Sequence, residues 1–236
     1  MNKVERAIII AAGNGIRMRP VTSKTPKPLV QVNGVRMIET IIKALKINEI
    51  DDIHIVVGHL KEQFDFLKDK YPGVKLIYNP HYDKANNIAS LYIARDYISN
   101  AVIMDGDQII YNDSILKPEF KRSGYCAAWA DKTDEWLLYL DEDIVKSCSR
   151  SGGEDGYQLY SVSFWDQKDG EQLKRDLEYE FEVKKNTDIY WDDIALFCHP
   201  DKYKLGIREI SHDDLIEIDS IEELAAVDSS YSIYLD

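Results

Sequence analysis

The sequence predicts an α/β fold: one domain with a mostly parallel central sheet, helices on both faces, and an antiparallel extension in the second half. Three observations predict it. In the first half, short apolar runs alternate with stretches whose apolar residues recur at the helical period. After about Ser123 that alternation gives way to successive strand-like runs separated by turn residues. The chain has 236 residues, 44% of them apolar, enough for one large core without disulfides or metals.

The elements follow in order. Ala7–Ala12 reads as a buried strand running into a Gly/Pro-rich loop that ends at Pro28. Arg36–Asn48 is a helix, with Met37, Ile38, Ile41, Ile42 and Leu45 on one face. Ile53–Val57 is a second buried strand closed by Gly58, and Leu60–Lys70 a second helix with Leu60, Phe64 and Leu67 on one side. Val74–Tyr78 is the third strand, Asn87–Ile98 the third helix, and Ala101–Met104 a fourth strand ending in Asp105-Gly106-Asp107. Strand–helix repetition of this kind builds a parallel sheet, and ligands bind at the carboxyl ends of its strands. Beyond Ser123, strands are expected at Gly124–Ala130, Trp136–Leu140, Ile144–Cys148, Gln158–Phe164 and Leu215–Ile218, with helices at Glu171–Glu182 and Trp191–Cys198. No repeat or linker divides the chain, so residues 1–236 are expected to form one domain with halves of about 1–122 and 123–236.

A formal net charge of −13 argues against general nucleic-acid binding, which needs clustered Lys and Arg. It leaves room for a phosphorylated ligand held by a local basic loop and divalent cations. Cys126, Cys148 and Cys198 are far apart and odd in number, and neither they nor the five histidines show metal-ligand spacing. They read as reduced thiols. No run is long enough for a signal core or a bilayer span. The expectation is a cytoplasmic protein, a monomer or small homo-oligomer, with no nucleic-acid or membrane partner.

The most informative segment is Ala11-Ala12-Gly13-Asn14-Gly15-Ile16-Arg17-Met18-Arg19-Pro20, continuing to Pro26-Lys27-Pro28. Gly13 and Gly15 allow positive φ and close approach of backbone to ligand. Successive N–H groups in such a loop make an anion-binding concavity, to which Arg17 and Lys27 add charged donors. The prolines stiffen the loop. Met18 stands where a dinucleotide fingerprint needs its third glycine, and no Gly-Lys-Ser/Thr follows for a Walker loop.

Carboxylates supply the second signal. Asp105 and Asp107 fall at the ligand edge of the sheet, where Mg²⁺ takes one or two carboxylates together with phosphate oxygens and water. Glu217 and Asp219 flank Ile218 and share one face of a strand. An N-cap for the helix after Ser220 is the plain alternative for Asp219. Asn86, Asn87 and Ser90 open a helix beside the cleft, either to read a base or ribose or to cap the helix. Trp136 follows Asp134-Glu135, and Tyr190-Trp191 precedes Asp192-Asp193. Rings beside acids bind quaternary ammonium groups through cation–π attraction and charge, or serve as core.

The long loop string resembles the AAGxGxRxxPxTxxxPKxL signature of the sugar-phosphate and choline-phosphate nucleotidyltransferases. It matches at Ala11, Ala12, Gly13, Gly15, Arg17, Pro20, Thr22, Pro26, Lys27 and Leu29, and departs at Ile16, where that family usually has Thr or Ser. The resemblance implies a Rossmann-like fold and a Mg²⁺ requirement. It also implies nucleotide phosphates held by Arg17 and Lys27, and metal on Asp107, with Asp219 as second metal ligand. Ala11, Ala12, Gly13, Asn14, Gly15, Asn86, Asn87, Ser90 and Asp105 are the further nucleotide-side candidates.

Ser163-Phe164-Trp165-Asp166, Tyr190-Trp191-Asp192, Glu217-Ile218-Asp219-Ser220 and Glu135-Trp136 resemble the bacterial CTP:phosphocholine cytidylyltransferases. That resemblance implies CTP and phosphocholine as substrates. Trp136, Tyr190, Trp191, Asp192 and Glu217 are then candidates for a choline pocket, and Arg17, Lys27 and Asp107 for catalysis. The alternatives are another acceptor (2-aminoethylphosphonate, phosphoethanolamine or a sugar 1-phosphate) or a nucleotide-sensing subunit without catalysis.

Overall fold

The structure is a computed structural model and describes residues 1–235. Nine strands form one sheet: β1 (Arg6–Ala11), β2 (Asp52–Val57), β3 (Val74–Tyr78), β4 (Ala101–Asp105), β5 (Gly124–Thr133), β6 (Leu137–Asp141), β7 (Ile144–Ser149), β8 (Gly153–Trp165) and β9 (Gly206–Glu209). The spatial order is β7-β6-β8-β4-β1-β2-β3, with β5 paired to both β8 and β9. The β4-β1-β2-β3 portion is parallel throughout. The long strand β8 reverses direction beside β4 and carries the sheet into the second half, pairing antiparallel with β4, β5 and β6. This is the expected mixed α/β architecture with an antiparallel extension. One pairing in the extension, β5 with β9, is parallel.

Strand β1 shows why helices lie on both faces. Ala7, Ile9 and Ala11 face a cluster containing Ile38, Ile41, Ile42 and Leu45 of α1 (Met37–Ile47). Ile8 and Ile10 face the opposite cluster, with Ile88 and Leu91 of α2 (Ile88–Ile93) and Leu173 and Leu177 of α3 (Gln167–Glu178). Burying both faces of a strand in this way is typical of parallel sheets. Helix α3 starts at Asp166, whose side chain accepts from the Asp169 N–H at 2.8 Å.

Several boundaries differ from the sequence expectation. The Leu60–Lys70 segment is a 3₁₀ turn (Lys61–Phe64) followed by a short helix (Phe66–Lys70). Asn87–Ile98 likewise divides into α2 and a 3₁₀ turn, Arg95–Tyr97. The Glu171–Glu182 helix begins four residues earlier and ends in a π-helical turn, Tyr179–Val183. Trp191–Cys198 is a loop leading into the π-helical turn Ile194–Cys198. Strand β9 carries Arg208 and Glu209 and has no apolar alternation to announce it.

A third cluster sits beneath the Gly-rich loop: Met18, Val30, Val32, Met37, Ile109, Ile218, Ile221 and Leu224. It joins the loop to α4 (Ile221–Val227) and to a two-stranded ribbon that pairs Leu215–Glu217 with Gln108–Ile110. No helix among the described residues is long and apolar enough to cross a membrane.

Candidate active site

Two adjoining cavities open at the carboxyl ends of the parallel strands. The first, about 400 Å³, is lined by Ala11 to Arg17, Lys27, Asn79, Tyr82, Asn86, Asn87 and Ser90, with Asp107, Tyr190 and Asp219 at its far wall. The second, about 320 Å³, is lined by Asp105, Glu135, Trp136, Ser161, Asp192 and Glu217 and shares Arg17, Asn87, Asp107, Tyr190 and Asp219 with the first. The shared residues mark the junction.

Loop conformation explains the first cavity. Gly15 has φ +58, and a Cβ there would meet Thr22 Cγ2 at 3.0 Å and Lys27 Cβ at 3.2 Å. Thr22 is fully buried and donates its hydroxyl to the Gly15 carbonyl at 2.6 Å, so it folds the loop. Gly13 departs from expectation: its φ is not positive. The space a Cβ would take at Gly13 is open. What that glycine leaves is room for a ligand against the backbone.

The acids come together through the ribbon. Glu217 pairs with Gln108 across it, and the Ile218 N–H donates to the Asp107 carbonyl at 3.2 Å. Ile218 anchors in the third cluster, which leaves its neighbours Glu217 and Asp219 on the cleft side. Ser220, not Asp219, caps α4, in a capping box with Glu223. Asp219 is thereby free for the site.

Lys27 stands between the two expected metal ligands, its ammonium 2.6 Å from Asp107 and 2.5 Å from Asp219. Arg17 reaches the same Asp219 oxygen at 2.9 Å. Burial alone would lower the Lys27 pKa, but the charges of Asp107 and Asp219 outweigh it and the net shift is upward. Burial likewise works against the charged form of Asp219, and Lys27 with Arg17 overcomes it, so its carboxyl is held below the usual range. A cation already occupies the position between these carboxylates. Two carboxylates facing a phosphate-sized cleft also fit a hard divalent cation that completes its shell with phosphate oxygens and water.

The second cavity is more acidic. Burial, then the charges of Asp107, Asp192 and Glu217, pushes Asp105 well above its ordinary value, and its Oδ1 is buried without a partner. Burial raises Asp192 too; Tyr125 offsets part of this, while Asp193 and Glu217 add to it. Glu217 is raised to about 7 by burial and then by Asp107, even though Gln108 donates to it at 2.8 Å. Such a pocket draws in a cation, which relieves the repulsion among the acids. Asp105 therefore belongs to this cavity rather than to the first.

The aromatic candidates separate. Trp136 and Tyr190 meet edge to face, 5.8 Å between centroids at 90°, and both line the second cavity. Trp191 does not: it is fully buried, stacked on Tyr125 at 6.2 Å within the second core cluster. Its expected place in the pocket is corrected to core. In this loop Tyr190 is about half exposed, while its neighbour Trp191 is turned into the core.

Asn86 and Asn87 line the first cavity, and Asn87 stands at the N-cap of α2 without a side-chain capping bond. The Asn86 N–H donates to the Thr187 carbonyl at 2.8 Å, and its side chain to the Asp188 carbonyl at 3.1 Å. The Asn87 side-chain oxygen accepts from the Trp191 N–H at 2.9 Å. Both asparagines thus splice the loop bearing Tyr190 to the wall of the first cavity. Ser90 accepts from Asn79, which is almost fully buried, at 3.0 Å. Asn79 and Tyr82 were missed from sequence. A polar residue directly after a buried strand, as Asn79 follows β3, was the available signal.

The chain is similar to known proteins over most of its length. Residues 7–164 match the MobA-like NTP transferase domain family. A 2-aminoethylphosphonate cytidylyltransferase from Lancefieldella rimae is 37% identical over 97% of this chain and 94% of its own. A choline-phosphate cytidylyltransferase from Streptococcus pneumoniae is 36% identical over 92% of this chain and 94% of its own. The solved structure of a CTP:phosphocholine cytidylyltransferase from the same organism superposes with a TM-score of 0.89 at 35% identity, covering 97% of this chain and 99% of that one.

Proposed function

The chain belongs to the MobA-like NTP transferase domain family, and from that premise we propose that it makes CDP-choline and pyrophosphate from CTP and phosphocholine. The single observation that carries the acceptor assignment is the second cavity. Its Trp136–Tyr190 wall stands beside Glu135, Asp192 and Glu217 and opens directly into the loop-lined cleft. Ring faces with carboxylates nearby suit a quaternary ammonium. Relatives 36% and 37% identical act on choline phosphate and 2-aminoethylphosphonate, both zwitterions with a cationic end.

The first cavity takes the nucleotide in this reading. Backbone N–H groups from Ala12 to Gly15 face the triphosphate, with Arg17 and Lys27 beside them. The acceptor's phosphate lies at the junction, among Asn87, Asp107 and Asp219. Its second pKa is near 6, so at neutral pH it is largely a dianion and no residue has to remove a proton. A phosphate oxygen attacks the α-phosphorus in line, the bond from that phosphorus to the α–β bridging oxygen breaks, and pyrophosphate leaves with the electron pair. Lys27 and Arg17 stabilise the departing charge, and the two cavities hold the reactants at attack distance. Asp107 and Asp219 would hold Mg²⁺, which when bound neutralises charge on the phosphate oxygens. Residues 1–236 act as one domain in this scheme, in a cytoplasmic enzyme that needs neither nucleic acid nor membrane.

One observation favours a second reading. Acids outnumber rings in the second cavity, which also suits a primary ammonium such as that of 2-aminoethylphosphonate. A matrix of nucleoside triphosphates against phosphocholine, phosphoethanolamine, 2-aminoethylphosphonate and a sugar 1-phosphate, scored for pyrophosphate with and without Mg²⁺, tests both readings. The proposal expects the CTP–phosphocholine–Mg²⁺ combination to dominate. Dominance of a sugar phosphate would overturn the ammonium pocket altogether.

A further inference from the structure

Arg150 lies just past β7, in the turn that leads to β8. That turn is rigidly seated: Ser149 donates its hydroxyl to the Gly152 carbonyl at 2.6 Å. Gly152 has φ +71 and presses so close to the Thr133 carbonyl that a Cβ would fall 2.0 Å from it. The turn is thereby packed against the segment leading to Trp136.

From this base Arg150 touches every aromatic component of the second cavity or the residue that holds it. Its guanidinium lies over Phe197 at 3.6 Å from the ring centroid and 5.6 Å from that of Trp136. Two of its nitrogens donate to one oxygen of Asp193, at 3.0 and 2.5 Å. The other Asp193 oxygen accepts from the Tyr190 N–H at 2.9 Å. Trp136 in turn stands edge to face against both Tyr190 and Phe197, the latter at 5.6 Å and 87°. The Asp193 side chain is 3% exposed, and a carboxylate so buried needs a paired cation.

We propose that Arg150 and Asp193 form a positioning pair that sets the spacing of Trp136, Tyr190 and Phe197, and so gives the pocket its preference for a quaternary over a primary ammonium. This rests on the cytidylyl-transfer reading given above. A trimethylammonium group gains from ring faces held at fixed separation, whereas a primary ammonium gains from hydrogen bonds to acids such as Asp192 and Glu217. Arg150 organises the rings and leaves those two acids untouched. Its removal also strips Asp193 of its cation, loosening the carboxylate that holds the Tyr190 N–H.

The test compares Arg150→Ala and Arg150→Lys with wild type, measuring kcat/KM for phosphocholine and for phosphoethanolamine and the KM for CTP. In Arg150→Ala the phosphocholine-to-phosphoethanolamine ratio should fall about tenfold through the phosphocholine KM, with the CTP KM within about twofold. Arg150→Lys keeps the charge for Asp193 but cannot lie flat on Phe197, so it should give a smaller drop in the same direction. If the alanine variant fails to fold, the lysine variant decides. An unchanged ratio in an active, folded variant, or an equal rise in both KM values, overturns the inference alone. Wild type that turns over neither acceptor, or favours phosphoethanolamine, overturns the choline reading and this inference with it.

Discussion

Replacing Trp136 with Ala removes one ring from the acceptor pocket and tests whether that ring binds substrate or only fills space. Trp136 is half-buried and borders the second cavity, while Tyr190 and Phe197 stand at 5.8 and 5.6 Å against it. A cation–π contact contributes about 0.5–1 kcal/mol when exposed and about 2 when desolvated. Taking about 1.5 kcal/mol for this partly enclosed pocket, phosphocholine binding should weaken roughly tenfold. Losing the two edge-to-face contacts adds disorder to Tyr190, which also borders the first cavity. The CTP KM should therefore rise, but by less than about threefold. Steady-state pyrophosphate release with each substrate varied in turn separates these effects, and Trp136→Phe should recover most of the loss. A phosphocholine KM unchanged in Trp136→Ala, or a CTP KM rising as much as the phosphocholine KM, would refute the reasoning and return Trp136 to a packing role.

Other expectations follow from the same geometry. Lys27→Ala and Asp107→Ala should each lower turnover at least about a hundredfold with the circular dichroism spectrum retained; near wild-type pyrophosphate release in either would remove its assigned role. Gly15→Ala forces a side chain into φ +58 against Thr22 and Lys27, so it should cost about 1–2 kcal/mol in urea unfolding and weaken CTP binding. Away from the site, burial would raise Glu39, but hydrogen bonds from Lys70, Tyr71 and Arg36 hold it at about 2. A carboxyl depressed on folding contributes stability that is fully present above its unfolded value, near 4.5, and lost as pH falls through about 2. Between pH 4.5 and 2 the wild-type Tm should therefore drop more steeply than that of Glu39→Gln, and parallel curves would rule the linkage out.

The parallel half of the sheet was legible because both faces of each strand are buried, and continuous apolar runs such as Ile8-Ile9-Ile10 announce that directly. The loop was legible for a different reason: its glycines, prolines and basic residues are local necessities of one short segment. Long-range pairing was harder. That Asp219 meets Lys27 depends on a ribbon pairing residues more than a hundred positions apart, and only the acidic alternation around Ile218 hinted at it. Trp191 misled because the Tyr-Trp-Asp string does not say which ring turns inward. Asn86 and Asn87 line the first cavity, and they also hold the Tyr190 loop through bonds that no local pattern announces. Arg150 and Phe197 carried no sequence signal, since a cation stacked on a ring from a distant π-helical turn is a tertiary fact alone.

The central claim is that the second cavity selects an ammonium-bearing phosphoryl acceptor for cytidylyl transfer. Its most direct test is a competition: CTP and Mg²⁺ with phosphocholine, 2-aminoethylphosphonate and glucose 1-phosphate at equal concentrations, with products resolved by ³¹P NMR. The account predicts CDP-choline as the main product, the mixed anhydride of CMP with 2-aminoethylphosphonate as the minor one, and no sugar nucleotide. CDP-glucose as the main product, or no product from either ammonium acceptor, would contradict it.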